Sequence, residues 1–390
     1  MIKNTSLTFY DHTIILILLL SLGLGPIFHF FFPVQFLTVS LFIVFIPFLL
    51  LFVLFIKNIA KFRSLLFFLV VFFFFLCILL LRYLFYDEKF LTLITTNIFV
   101  LYIPMTLMLF KHFDFTPKRS NAFLLIIKLF LIINSLNSLF YILGLPNISF
   151  ISDDSIIGSR FTGILGGANV TASFIAILFV LLTSQNNKLS IFQVIFFGSF
   201  AFIGVLPSLS KSSIFIVLLA IVYGTYRQFL RKKVLTPLLI TIFVIFLYNS
   251  SLGVFIDYFI SFNERLSGSN LSSGRLDRIE LAYNLFLQEF HYNIIGIPSV
   301  NQTSSYDSDL SISDNSLLLI SANFGIPFLI LYFLYIRTVM RNREKISKNL
   351  KFLSLIIIFV LLINNGVLYF QFCTFAIAGY YFIKSKPLEI

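Results

Sequence analysis

The sequence predicts an all-α polytopic membrane protein with about twelve transmembrane helices. Three observations predict it. The 390 residues are 59% hydrophobic and only 11% charged, where a soluble protein carries about a quarter charged residues; the mean hydropathy is +1.01. The apolar residues gather in runs long enough to cross a bilayer at about 1.5 Å per helical residue. The basic residues sit in short clusters between those runs, as the positive-inside rule requires. Length alone would suggest two or three soluble domains, and composition overrules it.

The net charge of +12 does not point to nucleic acid, because the basic residues form no single patch. There are 54 Phe and no Trp. Phe can face lipid tails, and Tyr must supply any interfacial belt. Cys77 and Cys373 both lie inside apolar runs, which argues against a structural disulfide.

Taken in order, spans are predicted over 13–32, 35–56, 64–85, 90–110, 122–143, 168–184, 191–208, 212–227, 234–253, 314–336, 352–365 and 367–383. The first follows Lys3 and no small-residue cleavage site follows it, so it reads as a span rather than a signal peptide. The last two are separated by Asn364-Asn365-Gly366, which reads as a tight turn or as a kink in one long helix. With the N-terminus in the cytoplasm, the inside loops collect Lys57, Lys61, Arg63, Lys118, Arg119, Arg231, Lys232, Lys233 and the run from Arg337 to Lys351. The tail adds Lys384 and Lys386, and the outer side collects most of the acids, including Asp87, Glu88, Asp153, Asp154, Glu280 and Asp314. That bias predicts both termini inside. It makes 1–390 a single membrane domain.

Polar sequence concentrates in two outer segments, 145–167 and a large extracytoplasmic loop, 254–313, between the ninth and tenth helices. Loops of this length are often functional. The large loop contains an amphipathic helix: after Ser272-Ser273-Gly274-Arg275, the residues Leu276, Ile279, Tyr283, Phe286 and Phe290 recur at helical spacing. Such a helix can lie in the membrane interface. Its N-terminal N–H groups beside Arg275 would make an anion site. A surface helix whose charges, Arg278 included, are merely solvated fits equally well.

Other candidates sit where loops meet spans. Arg160 and Asn169 bracket the Gly-rich stretch Arg160-Phe161-Thr162-Gly163-Ile164-Leu165-Gly166-Gly167. The pair could hold a phosphate, or Arg160 could snorkel from a flexible loop. Lys211 lies in Leu209-Ser210-Lys211-Ser212-Ser213, where it faces either a polar cavity or the interface. Asp314-Asn315 opens a span, so Asp314 serves as a helix cap or as a general base. His291 is a further base candidate or an incidental loop residue. Lys128, near Asn134 and Asn137, is an intramembrane cation that is functional or snorkelling. The run from Asp307 to Asp314 lacks the Gly and terminal Glu of a calcium loop, which speaks against a metal site. There is no Walker motif, nucleophile elbow or zinc spacing.

These pieces resemble the O-antigen ligase/polymerase superfamily of bacterial surface-polysaccharide assembly. The resemblance rests on four features over about residues 120–385: Arg160-Phe161-Thr162-Gly163 with Asn169; Ser210-Lys211-Ser212; Ser273-Gly274-Arg275 with Gly296-Ile297; and Asp314-Asn315-Ser316-Leu317 with Gly325. It is most like a Wzy-type repeat-unit polymerase, because Asp314 stands where ligases usually carry His. The resemblance implies an undecaprenyl-diphosphate-linked oligosaccharide donor and an acceptor whose hydroxyl attacks the anomeric carbon. It implies Asp314, Arg160 and Arg275 as catalytic groups. Asn169, Lys211, Arg278, His291 and Asn315 would contact substrate. It implies no metal or cofactor, and a chain-length regulator and a flippase as partners. The rival functions are an O-antigen ligase, which transfers polysaccharide to lipid A core, and a lipid-linked oligosaccharide flippase or transporter.

Overall fold

The computed structural model describes residues 62–111, 115–147, 161, 163, 168–183, 189–229, 275–298, 316–340 and 370–384. Among them 89% are helical and none is in a strand. In chain order the α-helices are α1 (Phe62–Tyr86), α2 (Phe90–Asn97), α3 (Tyr102–Lys111), α4 (Pro117–Ile142), α5 (Ala168–Thr183) and α6 (Ile191–Val205). There follow α7 (Lys211–Phe229), α8 (Arg275–Gln288), α9 (Tyr292–Ile295), α10 (Ser316–Met340) and α11 (Phe370–Lys384). Among the described residues, five helical stretches are long and apolar enough to cross a membrane: Phe67–Tyr86, Phe90–Met108, Pro117–Ile142, Ile191–Ser208 and Leu317–Met340. The spans predicted over 13–32, 35–56, 234–253 and 352–365, and the Asn364-Asn365-Gly366 turn, lie outside the described residues.

The chain divides into two compact units, one of Met1–Arg119, Ser272–Lys348 and Ser354–Ile390, the other of Ser120–Leu271 and Asn349–Leu353. In the first, α10 packs on α1 and α3, and α3 packs on α11. The inward stripe of α1 is Val71, Phe75, Ile78, Leu79 and Arg82, at helical spacing. Phe75 meets Phe324 at 5.6 Å, and Phe324, Phe328 and Tyr332 stack along α10 at 4.7 and 6.1 Å.

Two predicted spans are interrupted. The 90–110 run contains a 3-10 segment, Ile98–Leu101, between α2 and α3. Asn97 folds its amide back onto the Leu93 carbonyl at 2.9 Å, and Pro104 has no N–H to continue the ladder. The 314–336 run breaks at Gly325, whose φ of 76° and ψ of 171° are not helical, two residues before Pro327. Pro327 cannot donate to the carbonyl four residues back, that of Asn323.

In the second unit, α5, α6 and α7 pack on one another. Every residue of α5 except Asn169 is buried, as expected for a helix apolar all round. Glycines let these helices approach: a Cβ on Gly198 would stand 2.8 Å from Ile221, and one on Gly204 2.8 Å from Ser135. A capping box starts α6: Gln193 N–H donates to Ser190 Oγ at 3.2 Å and Ser190 N–H to Gln193 Oε1 at 3.0 Å.

Candidate functional site

One cluster lies at the end of the second unit where α5 and α7 both begin. After α6 the chain turns through a 3-10 segment, Leu206–Ser208, and then Leu209, which holds a left-handed φ of 53°. For a γ-branched residue that backbone is uncommon. Ser208 holds the turn, donating to the Val205 carbonyl at 2.6 Å and accepting from Ser210 N–H at 3.3 Å. Ser210 and Ser213 lie 3.0 Å apart, and Ser213 and Ser173 of α5 3.1 Å apart, all three buried. A hydroxyl chain this deep stays only because each member has a partner.

Two residues of the Gly-rich stretch dock on this turn. Phe161 is buried, stacks at 5.0 Å on Tyr141, and donates its N–H to the Pro207 carbonyl at 3.2 Å. Gly163 has φ of 61°, and a Cβ there would stand 2.5 Å from Thr171 Cγ2. Phe161 and Gly163, the start of α5 through Thr171 and Ser173, and the turn from Pro207 to Ser213 therefore meet at one place. Asn169, the second residue of α5, is the exposed one among buried neighbours. Lys211 is the first residue of α7. Two helix N-termini that start side by side both present positive dipole ends.

A second cluster lies in the first unit, around the break in α10. The break frees two carbonyls, and each is taken from outside the helix. Ile297 N–H donates to Ala322 O at 2.6 Å. Arg82 donates through Nη1 to Asn323 O at 2.7 Å. Arg82 is fully buried, and its Nε and Nη2 reach the Glu88 carboxylate at 2.9 and 3.1 Å. Two glycines make the approach close enough. A Cβ on Gly296 (φ 89°) would stand 2.5 Å from Ala322 O, and one on Gly325 would collide with the Ile294 carbonyl. Tyr86 donates its hydroxyl to Gly296 O at 2.7 Å and closes the knot from α1. His291 lies over it, its ring 5.9 Å from Tyr86 and its Nδ1 3.8 Å from Glu289, about half exposed.

Family models, curated proteins and solved structures give no match to this chain. The reading rests on these residues alone.

Of the residues singled out from sequence, Asn169 and Lys211 belong to the first cluster, and His291, Gly296 and Gly325 to the second. Arg275 and Arg278 lie in the first turn of α8. Arg160, Asp314 and Asn315 lie outside the described residues, next to Phe161 in one case and to the start of α10 in the other. Lys128 is separated from Asn134 and Asn137. Its Nζ stands 5.8 Å from the Phe197 ring, whereas both asparagines are buried. No group of three or more potential metal-binding side chains occurs among the described residues.

Arg82 and Glu88 are what sequence reasoning missed. Arg82 in fact lies inside a membrane-length helix, fully buried. An Arg in an apolar run with an acid just beyond the helix end was the available signal.

Proposed function

We propose that this chain polymerises undecaprenyl-diphosphate-linked oligosaccharide repeat units of a surface polysaccharide. In this reading it has about twelve spans with both termini in the cytoplasm, and transfer takes place on the outer face of a bacterial inner membrane. The observation that carries it is the meeting of Phe161 and Gly163, the start of α5 and the 207–213 turn. These are two of the four features on which the resemblance rests, and they are far apart in sequence. The other two each supply a glycine, Gly296 and Gly325, to the knot around the α10 break.

The chemistry follows from the residue types. An acceptor hydroxyl attacks the anomeric carbon of the donor sugar, and the bond from that carbon to the diphosphate oxygen breaks. The electron pair leaves with the diphosphate, where cationic side chains and helix N-termini stabilise it. In this reading Arg160, Lys211 and Arg275 fill that role, and Arg278 and Asn169 contact the substrate. Asp314 takes the proton from the acceptor hydroxyl as general base. Asn315 and His291 contact the sugars.

Asp314→Asn and Arg160→Gln should stop chain growth and leave the single lipid-linked unit intact, read as product length on a gel. Polymer of normal length from either variant would remove that residue from the chemistry. Deleting the protein should leave single units on the outer leaflet. Long lipid-linked polymer would indicate a ligase, and units stranded on the cytoplasmic leaflet a flippase.

A further inference from the structure

The helix α8 has three faces. Ala282 and Leu285 are buried in a cluster with Tyr292, Ile297 and Ala322, and Leu281 and Phe286 pack against it. Glu280, Asn284 and Gln288 form an exposed polar face. Between these two faces runs a third, Ile279, Tyr283 and Leu287, continued by Phe290 and Ile294 beyond the helix end. These five are 47, 61, 66, 79 and 44% exposed. At 100° per residue the first three fall within an arc of about 80° that adjoins the buried face. A water-facing surface gains nothing from a continuous stripe of this kind, and single exposed apolar residues are the norm.

We infer that this stripe is a membrane-docking surface, and that its occupant is the interfacial layer of the bilayer that α1 crosses. Continuity argues for lipid over a protein partner. The stripe runs into Phe290 and Ile294, on the turn that packs over the end of α1 through the Tyr86–His291 and Tyr86–Tyr292 ring contacts at 5.9 and 6.1 Å. The same end of α1 exposes Leu80, Leu84 and Phe85 at 50, 66 and 67%. Since α1 is long and apolar enough to span, those side chains face acyl chains. The two apolar surfaces border one another, with the polar face of α8 turned toward water. A helix with one side on protein, one on lipid and one in water sits in the plane of the interface.

The chain has no Trp, so a single introduced indole reports its own surroundings. Tyr283→Trp and Phe290→Trp each change one exposed aromatic for another. Each full-length variant is reconstituted into vesicles of phosphatidylethanolamine and phosphatidylglycerol, with or without bromine on the acyl chains. Asn284→Trp, on the polar face, is the reference. The expected result is blue-shifted emission at 283 and 290, lost largely to brominated lipid and little to aqueous iodide, with the reverse at 284. Quenching of 283 and 290 by iodide alone would show a water-facing stripe and overturn the proposal. Blue-shifted emission that neither agent quenches would mean that protein covers the stripe, as in a second copy, and would overturn it too. The readout is independent of sugar transfer, so it stands or falls apart from the polymerase reading.

Discussion

Adding one methyl group at Gly325 tests whether the α10 break is a built contact. Gly325→Ala places a side chain on a backbone with φ of 76° and ψ of 171°. That region is essentially restricted to glycine, and holding another residue there costs about 1–3 kcal/mol. The new Cβ would also stand 2.6 Å from Ile294 C and 2.8 Å from Asn293 O, both backbone atoms of α9. Backbone cannot swing aside as a flexible side chain can, so α9 must retreat. Retreat stretches the 2.6 Å bond from Ile297 N–H to Ala322 O. A buried carbonyl left without its donor costs about 1–3 kcal/mol. The expected loss therefore runs from about 2 to about 6 kcal/mol. Gly144→Ala isolates the backbone contribution: φ there is 66°, the residue is exposed and a Cβ would meet nothing within 4 Å. That change should cost only about 1–2 kcal/mol. Heating the detergent-solubilised full chain and following the monodisperse fraction by gel filtration measures both. The Gly325→Ala midpoint should fall by about 5 °C or more and lie well below that of Gly144→Ala. Equal midpoints would refute the reasoning, because α9 would then not be pressed into the break.

Two further substitutions probe the clusters by the same assay. Arg82→Met strands the Glu88 carboxylate and the Asn323 carbonyl together, and should destabilise by about 3–5 kcal/mol. Arg82→Met with Glu88→Met should recover part of that loss, and a double variant no better than the single one would show that the ion pair is not the main contribution. Ser213→Ala removes the hydroxyl that meets both Ser173 and Ser210, and should cost about 1–3 kcal/mol. Ser199→Ala, which loses only a bond to the Ile195 carbonyl within its own helix, should cost about 1 kcal/mol or less.

Long runs were legible because their signal is local. The stretches at 64–85, 122–143 and 191–208 become Phe62–Tyr86, Pro117–Ile142 and the helical run from Ile191 to Ser208 within a few residues. Hydrophobicity over about twenty residues decides them without any knowledge of the rest of the chain. The α10 break was not legible in the same way. Gly325 and Pro327 permit it, but what stabilises it is Ile297 N–H and Arg82, remote in sequence, satisfying the carbonyls it frees. In α8 the recurrence of Leu276, Ile279, Tyr283, Phe286 and Phe290 marked an apolar stripe. Spacing could not say that Ile279 and Tyr283 point outward while the smaller Ala282 and Leu285 face the core. Arg160 and Lys211 were legible as residue types. Their neighbours became related only once Phe161 and Ser173 were found to meet the 207–213 turn.

The α10 break also limits which cation can serve the proposed chemistry. Within a bilayer a freed carbonyl has no water to turn to, so the protein must supply a donor. Arg82 supplies it through Nη1, and its Nε and Nη2 reach Glu88. A guanidinium with all three nitrogens engaged and no exposed surface is out of reach of a diphosphate. Its positive charge is already matched by a carboxylate 2.9 Å away. The charge that develops on a leaving diphosphate must therefore fall to cations outside this knot. Lys211 at the start of α7 and Arg275 at the start of α8 each sit at a helix N-terminus, where the dipole adds to the side-chain charge rather than opposing it. The buried arginine builds the scaffold, which leaves the proposed role on substrate to cations elsewhere in the chain.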